Sequence, residues 1–238
     1  MKRILILTLC ILIVTGATSN VFAAPFFTQS SKQAVFLSPL ERWMPTWNRQ
    51  EYVSLLERAG YQVDVLMNEN VTISFLKVGL AKYDLIILRT DSFQGEGFNY
   101  YCSGDPVTPQ TRATYSAEIS ADEVSVGVCV GFSMVFLRDS YPPGSLRGLV
   151  YAIGAGTAEL APAFIKAGAS AFMGYYEEMG GLGWGRMDAL ATTVLRYLSQ
   201  GSSVKGAVIE LYTYLAIGHG GTSTMPAIYW YGNGDYTI

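Results

Sequence analysis

Residues 85–92 read Leu-Ile-Ile-Leu-Arg-Thr-Asp-Ser, LIILRTDS, and this stretch decides which kind of fold the chain has. Four apolar residues run directly into four polar ones, with no glycine or proline between them. A short continuous apolar run is typical of a strand that is buried on both faces, as in a parallel sheet. The stretch therefore predicts a central strand that delivers Arg89, Thr90, Asp91 and Ser92 to the edge of a sheet.

Strands and helices are predicted to alternate on both sides of this stretch. Strands are predicted at 34–37, 61–66, 83–88, 149–153 and 171–175, and helices at 48–59, 71–78, 159–167, 188–198 and 204–215. Asn48 and Glu51 have the spacing of a capping box, and Asn70 can cap the second helix. This alternation indicates an α/β fold, with a mainly parallel sheet and helices on both of its faces.

The alternation is interrupted between residues 93 and 147, where four prolines punctuate the sequence. Residues 114–120 and 124–130 alternate like the strands of a β-hairpin, with 121–123 as its loop. We interpret the segment as an insertion that carries a small antiparallel element. No change in composition marks a boundary elsewhere, so residues 24–238 are expected to form a single domain.

The first 23 residues have the three-part layout of a secretory signal peptide. Lys2 and Arg3 precede an apolar run over residues 4–14, and small residues end at Ala23, where a signal peptidase would cleave. The run is short for a membrane span, although an uncleaved anchor is the alternative. We therefore expect an exported protein, secreted or held in the periplasm or cell envelope, without stable membrane insertion after cleavage.

The composition and net charge of the chain argue against some classes of binding partner. The 238 residues are 50% hydrophobic and 15% charged, with a formal net charge of −3. Signal cleavage would remove two of the 16 basic residues and none of the 19 acidic ones, and no basic run would remain. Nucleic acids and anionic membranes are therefore poor partners, which leaves a peptide or a protein ligand.

Cysteines and metal ligands are few. Cys102 and Cys129 follow the signal segment, and an exported chain permits one disulfide between them, although two unpaired thiols remain the alternative. His219 is the sole histidine, which excludes a His-rich zinc site. The carboxylates of Asp91, Glu177, Glu178 and Asp188 have no calcium-loop spacing, so neither metal nor cofactor is predicted.

Three loops should meet at the carboxyl edge of the sheet, where open α/β sheets bind their ligands. They are residues 89–92, 154–157 and 175–186. The candidate cleft residues are Arg89, Ser92, Gly154 and Glu177 in these loops, with Asp188 just after the third loop. Arg89 is expected to pair with Asp91 or with Asp188.

Three stretches resemble the caspase-like cysteine peptidase superfamily, which includes gingipain-like and archaeal caspase-like proteins. LIILRTDS at 85–92 is similar to a strand ending LIILRTHS, and LAPAFIKAGASAFMGY at 160–175 is similar to LAEAFIKKGAKAYIGW. The RMD at 186–188 stands where those proteins often have HTD. The likeness covers roughly residues 52–215, and most of the matching residues concern the fold.

The resemblance implies a histidine after the third strand and a nucleophilic cysteine after the fourth, where a Gly-Cys dipeptide is usual. Here those positions hold Asp91 and Ala155. Alanine has no nucleophilic atom, and an aspartate of ordinary pKa is a poor proton shuttle near pH 7. The resemblance therefore implies a caspase-like domain that is degenerate at the catalytic positions, an exported pseudoenzyme that binds a peptide or protein without cleaving it.

Two alternatives stay open at this point. The protein is a peptidase-like hydrolase if the alignment is displaced or if Asp91 and Ser92 act without a cysteine, and Cys129 with His219 is the other pair to consider. It is a purely structural domain if the sheet serves assembly alone. In the simplest interpretation, Asp91 and Ser92 only cap backbone groups at the end of the strand.

Overall fold

The sheet is built around β3 (Leu85–Arg89), the strand that the apolar run predicts. The computed structural model describes residues 32–95, 97–176, 183–218 and 227–238. The other strands are β1 (Lys32–Ser38), β2 (Tyr61–Met67), β4 (Ser92–Gln94), β5 (Asn99–Cys102), β6 (Val124–Val126), β7 (Val130–Phe132), β8 (Leu149–Ile153), β9 (Ala171–Tyr175) and β10 (Ile228–Gly232). The α-helices are α1 (Arg49–Arg58), α2 (Ile73–Val78), α3 (Pro109–Thr114), α4 (Ser116–Ser120), α5 (Met134–Ser140), α6 (Ala161–Ala167), α7 (Trp184–Ser199) and α8 (Val204–Gly218).

Six strands form the main sheet in the order β10-β9-β8-β3-β1-β2. The pairs β1–β2, β1–β3, β3–β8 and β8–β9 are parallel, and only β10 runs antiparallel, against β9. The predicted α/β class with a mainly parallel sheet is confirmed. The antiparallel strand β10 was not predicted.

Helices cover both faces of this sheet, because β3 is apolar on both of its sides. Ile86 and Leu88 pack into a core that also contains residues of α2, α5 and α6. Leu85 and Ile87 pack on the other side with residues of α1, α7 and α8. All four side chains are at most 1% exposed, which is why their sequence does not alternate between apolar and polar.

The insertion between β3 and β8 carries a second, four-stranded antiparallel sheet in the order β4-β5-β7-β6. The small antiparallel element is present, but the predicted hairpin of 114–120 and 124–130 is wrong. Residues 114–120 are helical in α3 and α4, and the observed hairpin is the pair β6–β7, whose turn lies at 127–129 within the predicted second strand. The alternating residues suggest a strand, but helix α3 begins just before them, at Pro109. Thr108 caps α3 by accepting from the Thr111 amide at 3.1 Å, and Pro109 occupies the first turn.

Two predicted helix caps also differ in the structure. Asn48 precedes α1, but its side chain makes no capping hydrogen bond and donates instead to Thr192 Oγ1 at 3.0 Å. Helix α2 is capped by Thr72, which accepts from the Phe75 amide at 3.0 Å, and not by Asn70. At α1 a tertiary contact takes up the Asn48 side chain, and at α2 the neighbouring residue Thr72 satisfies the helix end.

The described residues all belong to one compact unit, Ser31–Ile238. The signal peptide predicted at residues 1–23 lies outside the described residues. Within the described part of the chain, no helix is both long enough and apolar enough to cross a bilayer.

Candidate functional site

The carboxyl ends of β3 and β8 lie side by side. Arg89 is the register partner of Ile153, and the Thr90 amide donates to the Ile153 carbonyl at 3.0 Å. The residues that follow, 90–92 and 154–157, therefore share one edge of the sheet, which we call the β3–β8 edge. Asp91 and Ala155, the two positions that the family resemblance singles out, both lie on it.

At the β3–β8 edge, the polar side chains hold backbone groups. Ser92 Oγ donates to the Ala155 carbonyl at 3.1 Å and so joins the two strand ends. Asp91 Oδ1 accepts from the Ser92 amide at 2.9 Å. A serine becomes a nucleophile when a base accepts its proton, but here the hydroxyl is directed to a main-chain carbonyl. The geometry matches the role of capping backbone groups at the end of the strand.

Gly154 lets the two strand ends approach closely. Its φ is +151°, and a Cβ built on it would lie 1.9 Å from the Thr90 carbonyl oxygen. No other residue fits there without moving the backbone at Thr90, just after β3. On the far side of the loop, Thr157 Oγ1 donates to the Gly154 carbonyl at 2.8 Å, and the Tyr101 hydroxyl donates to the Gly156 carbonyl at 2.7 Å.

Arg89 and Asp188 form a buried ion pair beneath this edge. Arg89 Nε lies 2.7 Å from Asp188 Oδ1, and Nη2 lies 3.1 Å from Oδ2, which is the bidentate geometry of a guanidinium on a carboxylate. The side chains are 1% and 0% exposed. Of the two partners considered for Arg89, the structure has Asp188 and not Asp91.

The pair connects β3, which carries Arg89, with α7, which carries Asp188, and with the loop between β1 and α1. Arg89 Nη1 donates to the Met44 carbonyl at 2.7 Å, and the guanidinium carbon lies 4.5 Å from the centre of the Trp184 ring. The Tyr52 hydroxyl donates to the Asp188 carbonyl at 2.9 Å. Burial, and next the charge of Asp188, hold the pKa of Tyr52 well above its ordinary value, so this phenol is not a proton carrier at neutral pH.

Glu41 organises the loop between β1 and α1 that contributes Met44. Its carboxylate accepts from the Thr46 amide at 3.0 Å, from the Thr46 hydroxyl at 2.6 Å and from the Ser38 hydroxyl at 2.8 Å, and it pairs with Arg49 at 2.9 Å. Burial raises the pKa of Glu41, but these hydrogen bonds and the Arg49 charge outweigh it and leave the pKa below the ordinary value. The carboxylate is therefore a fixed, ionised support for this loop.

The small sheet is attached to the same edge. Thr90 Oγ1 donates to the Cys102 carbonyl at 2.8 Å, and the Cys102 amide donates to the Asp91 carbonyl at 2.9 Å. Cys102 and Cys129 are joined in a disulfide, which is one of the two alternatives that the sequence left open. Since both sulfurs are bonded, neither cysteine offers a thiol in this state. His219, the possible partner considered for Cys129, lies outside the described residues.

Two cavities are lined in part by residues of the insertion that carries the small sheet. The first, of about 440 Å³, has apolar walls that include Pro39, Leu40, Trp43, Val107 and Val128, and it borders the disulfide. Trp43 is 71% exposed and Val128 is 80% exposed, so these walls face solvent.

The second cavity, of about 370 Å³, is more polar. It lies between the β4–β5 hairpin and the start of α5 and is lined by Gln94, Phe98, Asn99, Tyr101, Met134 and Glu159. Tyr101 connects this cavity to the edge through its bond to Gly156.

The carboxylates considered as metal ligands are not gathered in one place. Among the described residues, no group of three or more histidine, cysteine, aspartate or glutamate side chains is positioned to bind a metal ion. Asp188 is engaged with Arg89, while Glu177 and Glu178 lie outside the described residues.

Comparison with known proteins finds similarity among solved structures. No protein-family model matches the chain, and no curated protein matches it. Among solved structures, the chain is similar to the crystal structure of the Drosophila initiator caspase Dronc. The identity is 11% and the TM-score is 0.44, with 86% of this chain and 80% of that chain covered. The α/β class itself rests on the strand order and helix placement described above.

Sequence reasoning brought Arg89, Asp91, Ser92, Gly154 and Ala155 to one edge, but it missed the residues that hold this edge in place. Three of the missed residues carry polar or charged groups: Glu41 and Tyr101, which are buried, and Glu159, which is exposed. They come from three separate segments, the loop between β1 and α1, strand β5 and the segment after β8. Their proximity to the edge depends on the tertiary fold.

Proposed function

We propose that this protein is an exported domain of caspase-like architecture that lacks the Cys/His dyad and binds a peptide or protein segment without cleaving it. The observation that carries the proposal is the hydrogen bond from Ser92 Oγ to the Ala155 carbonyl, beside an Asp91 that caps the Ser92 amide. Asp91, at one dyad-equivalent position, and the neighbouring Ser92 bind backbone groups, and Ala155, at the other position, has no nucleophilic atom. These three residues therefore do not form a poised nucleophile and base.

The surroundings of the edge support a binding role. The insertion attached to the edge lines one apolar and one more polar cavity, of about 440 Å³ and about 370 Å³, and ligand sites usually combine apolar walls with a few polar groups in this way. Both cavities are built from several segments that the disulfide, the Glu41 network and the Arg89–Asp188 pair hold in place. A preformed site of this kind loses little entropy when a ligand binds.

Peptide binding and peptide cleavage can be measured on the same panel of probes. Fluorescein-labelled pentapeptides with varied central residues are titrated with the purified protein, and anisotropy reports binding while chromatography reports cleavage. We expect saturable binding of a subset and no cleavage product. Cleavage that the Ser92→Ala variant abolishes would overturn the proposal in favour of the hydrolase alternative, and the absence of binding across the panel would overturn the binding role.

Reinstalling the dyad tests the equivalence of the two positions. The variant with Asp91→His and Ala155→Cys is compared with Ala155→Cys alone as the matched control. An imidazolium next to a thiol favours the thiolate, so we expect iodoacetamide at pH 7 to alkylate the double variant roughly tenfold faster. The protein is prepared without residues 1–23, which contain Cys10, and the native disulfide does not react, so mass spectrometry counts only the introduced thiol. Equal alkylation rates in the two variants would mean that positions 91 and 155 do not face each other as a dyad.

A further inference from the structure

The cavity beside the β4–β5 hairpin has a single charged group among its described lining residues. We call it the Glu159 cavity, after that residue, and its volume is about 370 Å³. Glu159 Oε2 accepts from Asn99 Nδ2 at 2.8 Å, which fixes the carboxylate against strand β5. Oε1 has no hydrogen-bond partner within the described part of the chain, and the residue is exposed. Glu159 therefore lines the cavity with a carboxylate that Asn99 holds through one oxygen only.

The remaining walls suit an aliphatic stem that ends in a charged group. Phe98 and Met134 provide apolar surface, and Met134 is 41% exposed at the first turn of α5. Gln94, the register partner of Asn99, adds an amide oxygen at the polar end. Long cationic side chains bury their methylene groups along such surfaces while their charge stays at a polar rim.

The cavity is continuous with the edge on which the proposed peptide would lie. A Cβ built on Gly156 would be 3.6 Å from Ser92 Oγ and 3.8 Å from Asn99 Nδ2. Gly156, which lies on the edge, is therefore a close neighbour of Asn99, which lines the cavity. A chain that passes along the β3–β8 edge can place one side chain into the cavity.

We propose that the Glu159 cavity binds a lysine side chain of a peptide or protein partner, with the ammonium at Glu159 and the stem between Phe98 and Met134. This assignment rests on the proposed peptide-binding function and specifies its ligand. Lysine fits better than arginine because Asn99 already occupies one carboxylate oxygen. A single remaining oxygen accepts the point charge of an ammonium, whereas a guanidinium binds best to both oxygens at once.

The first test uses a small probe that contains only the side chain in question. Nα-acetyl-lysine N-methylamide is titrated into protein with ¹³C-labelled methionine methyl groups, and the Met134 signal is followed by NMR. We expect a saturable shift of that signal with the lysine probe. The norleucine analogue, which has a similar stem and no charge, should bind about tenfold more weakly, since it lacks the charge-assisted contact. Glu159→Gln should bring the lysine probe to the level of the norleucine probe.

Glu57→Gln is the matched control, because it removes the same charge from an exposed position on α1. It should leave the lysine preference unchanged. A lysine preference that falls equally in both variants would overturn the proposal, since it would reflect the net charge of the protein and not the cavity.

The second test separates this proposal from the peptide-binding function on which it rests. Fluorescein-labelled Ala-Ala-Lys-Ala-Ala and its norleucine counterpart are compared by anisotropy. If both peptides bind equally, the lysine assignment is wrong while peptide binding stands. If the capped lysine binds at Glu159 and neither peptide binds, the peptide-binding function is wrong while the cavity assignment stands. If neither the peptides nor the capped lysine bind, both are wrong.

Discussion

Breaking the Arg89–Asp188 pair from either side should destabilise the protein far more than removing both partners together. Arg89→Met removes two hydrogen bonds to the carboxylate and one to the Met44 carbonyl, and it leaves behind a carboxylate that is 0% exposed. Asp188→Ala leaves an uncompensated guanidinium that is 1% exposed. The double variant leaves neither charge, so its penalty is limited to lost packing and one unpaired carbonyl.

The expected sizes follow from the burial of the pair. Removing one partner of a buried ion pair costs about 3–5 kcal/mol, because the other charge remains without compensation. The double variant should lose about 1–3 kcal/mol, mainly from the Met44 carbonyl and a small cavity. The two single losses, added together, should therefore exceed the double loss by about 3 kcal/mol or more.

Urea unfolding at pH 7, followed by tryptophan fluorescence, measures all three variants against the parent. Equal slopes of the unfolding free energy against urea would license the comparison. Additive losses, or single losses below about 1 kcal/mol, would refute the reasoning, since they would show that the pair is exposed to solvent or is not formed. If a single variant fails to fold, the double variant still decides, because recovery of folding on removal of the second charge is itself the predicted coupling.

Three further outcomes follow from the geometry. Gly154→Ala should lower the unfolding free energy by at least about 3 kcal/mol in thermal unfolding, because its Cβ would lie 1.9 Å from the Thr90 carbonyl oxygen. The control Gly60→Ala should lower it by only about 1 kcal/mol, since Gly60 also has a positive φ but a Cβ there meets nothing within 4 Å. Glu41→Gln should cost about 1–2 kcal/mol at pH 7. The lowered pKa of Glu41 stabilises the fold above the pKa of the unfolded chain, so the gap between parent and variant should close as the pH falls below about 4, and a constant gap would contradict this assignment. Reduction of the disulfide, whose cysteines are 27 residues apart, should lower the unfolding free energy by about 3–4 kcal/mol in a comparison of oxidised and reduced protein.

The parallel part of the fold could be predicted because its strands are apolar on both faces. Residues 85–88 and 149–153 are continuous runs without apolar–polar alternation, and each run is bounded by glycines or polar residues, so the sequence predicts buried strands directly. The insertion could not be predicted in the same way. At 114–120 the sequence alternates as a strand does, yet Thr108 and Pro109 begin a helix just before it, and capping decided the outcome. A short alternating run is compatible with both periods, so local pattern alone does not separate them.

The site could be predicted only where it follows directly from strand order. Once β3 and β8 are neighbours, Asp91 and Ala155 must share an edge, and the sequence supplied both. The partner of Arg89 remained undecided, because Asp188 lies 99 residues further along the chain and arrives through the packing of α7. The Glu159 cavity had no signal in the sequence at all, since it is formed by a hairpin, a helix start and a loop that meet only in the folded protein.

The polar run that ends β3 explains why we propose side-chain recognition in the cavity beside the edge and not at the run itself. Successive residues of a strand point to opposite faces, so Arg89 follows Leu85 and Ile87 toward α7, while Thr90 turns to the other side and holds the small sheet through the Cys102 carbonyl. Ser92 then crosses to the end of β8. Each of these side chains has a fixed structural partner, whereas a nucleophile or a proton carrier must exchange partners during a reaction. The run therefore serves structural contacts, and this is why we propose that a ligand side chain binds in a neighbouring cavity.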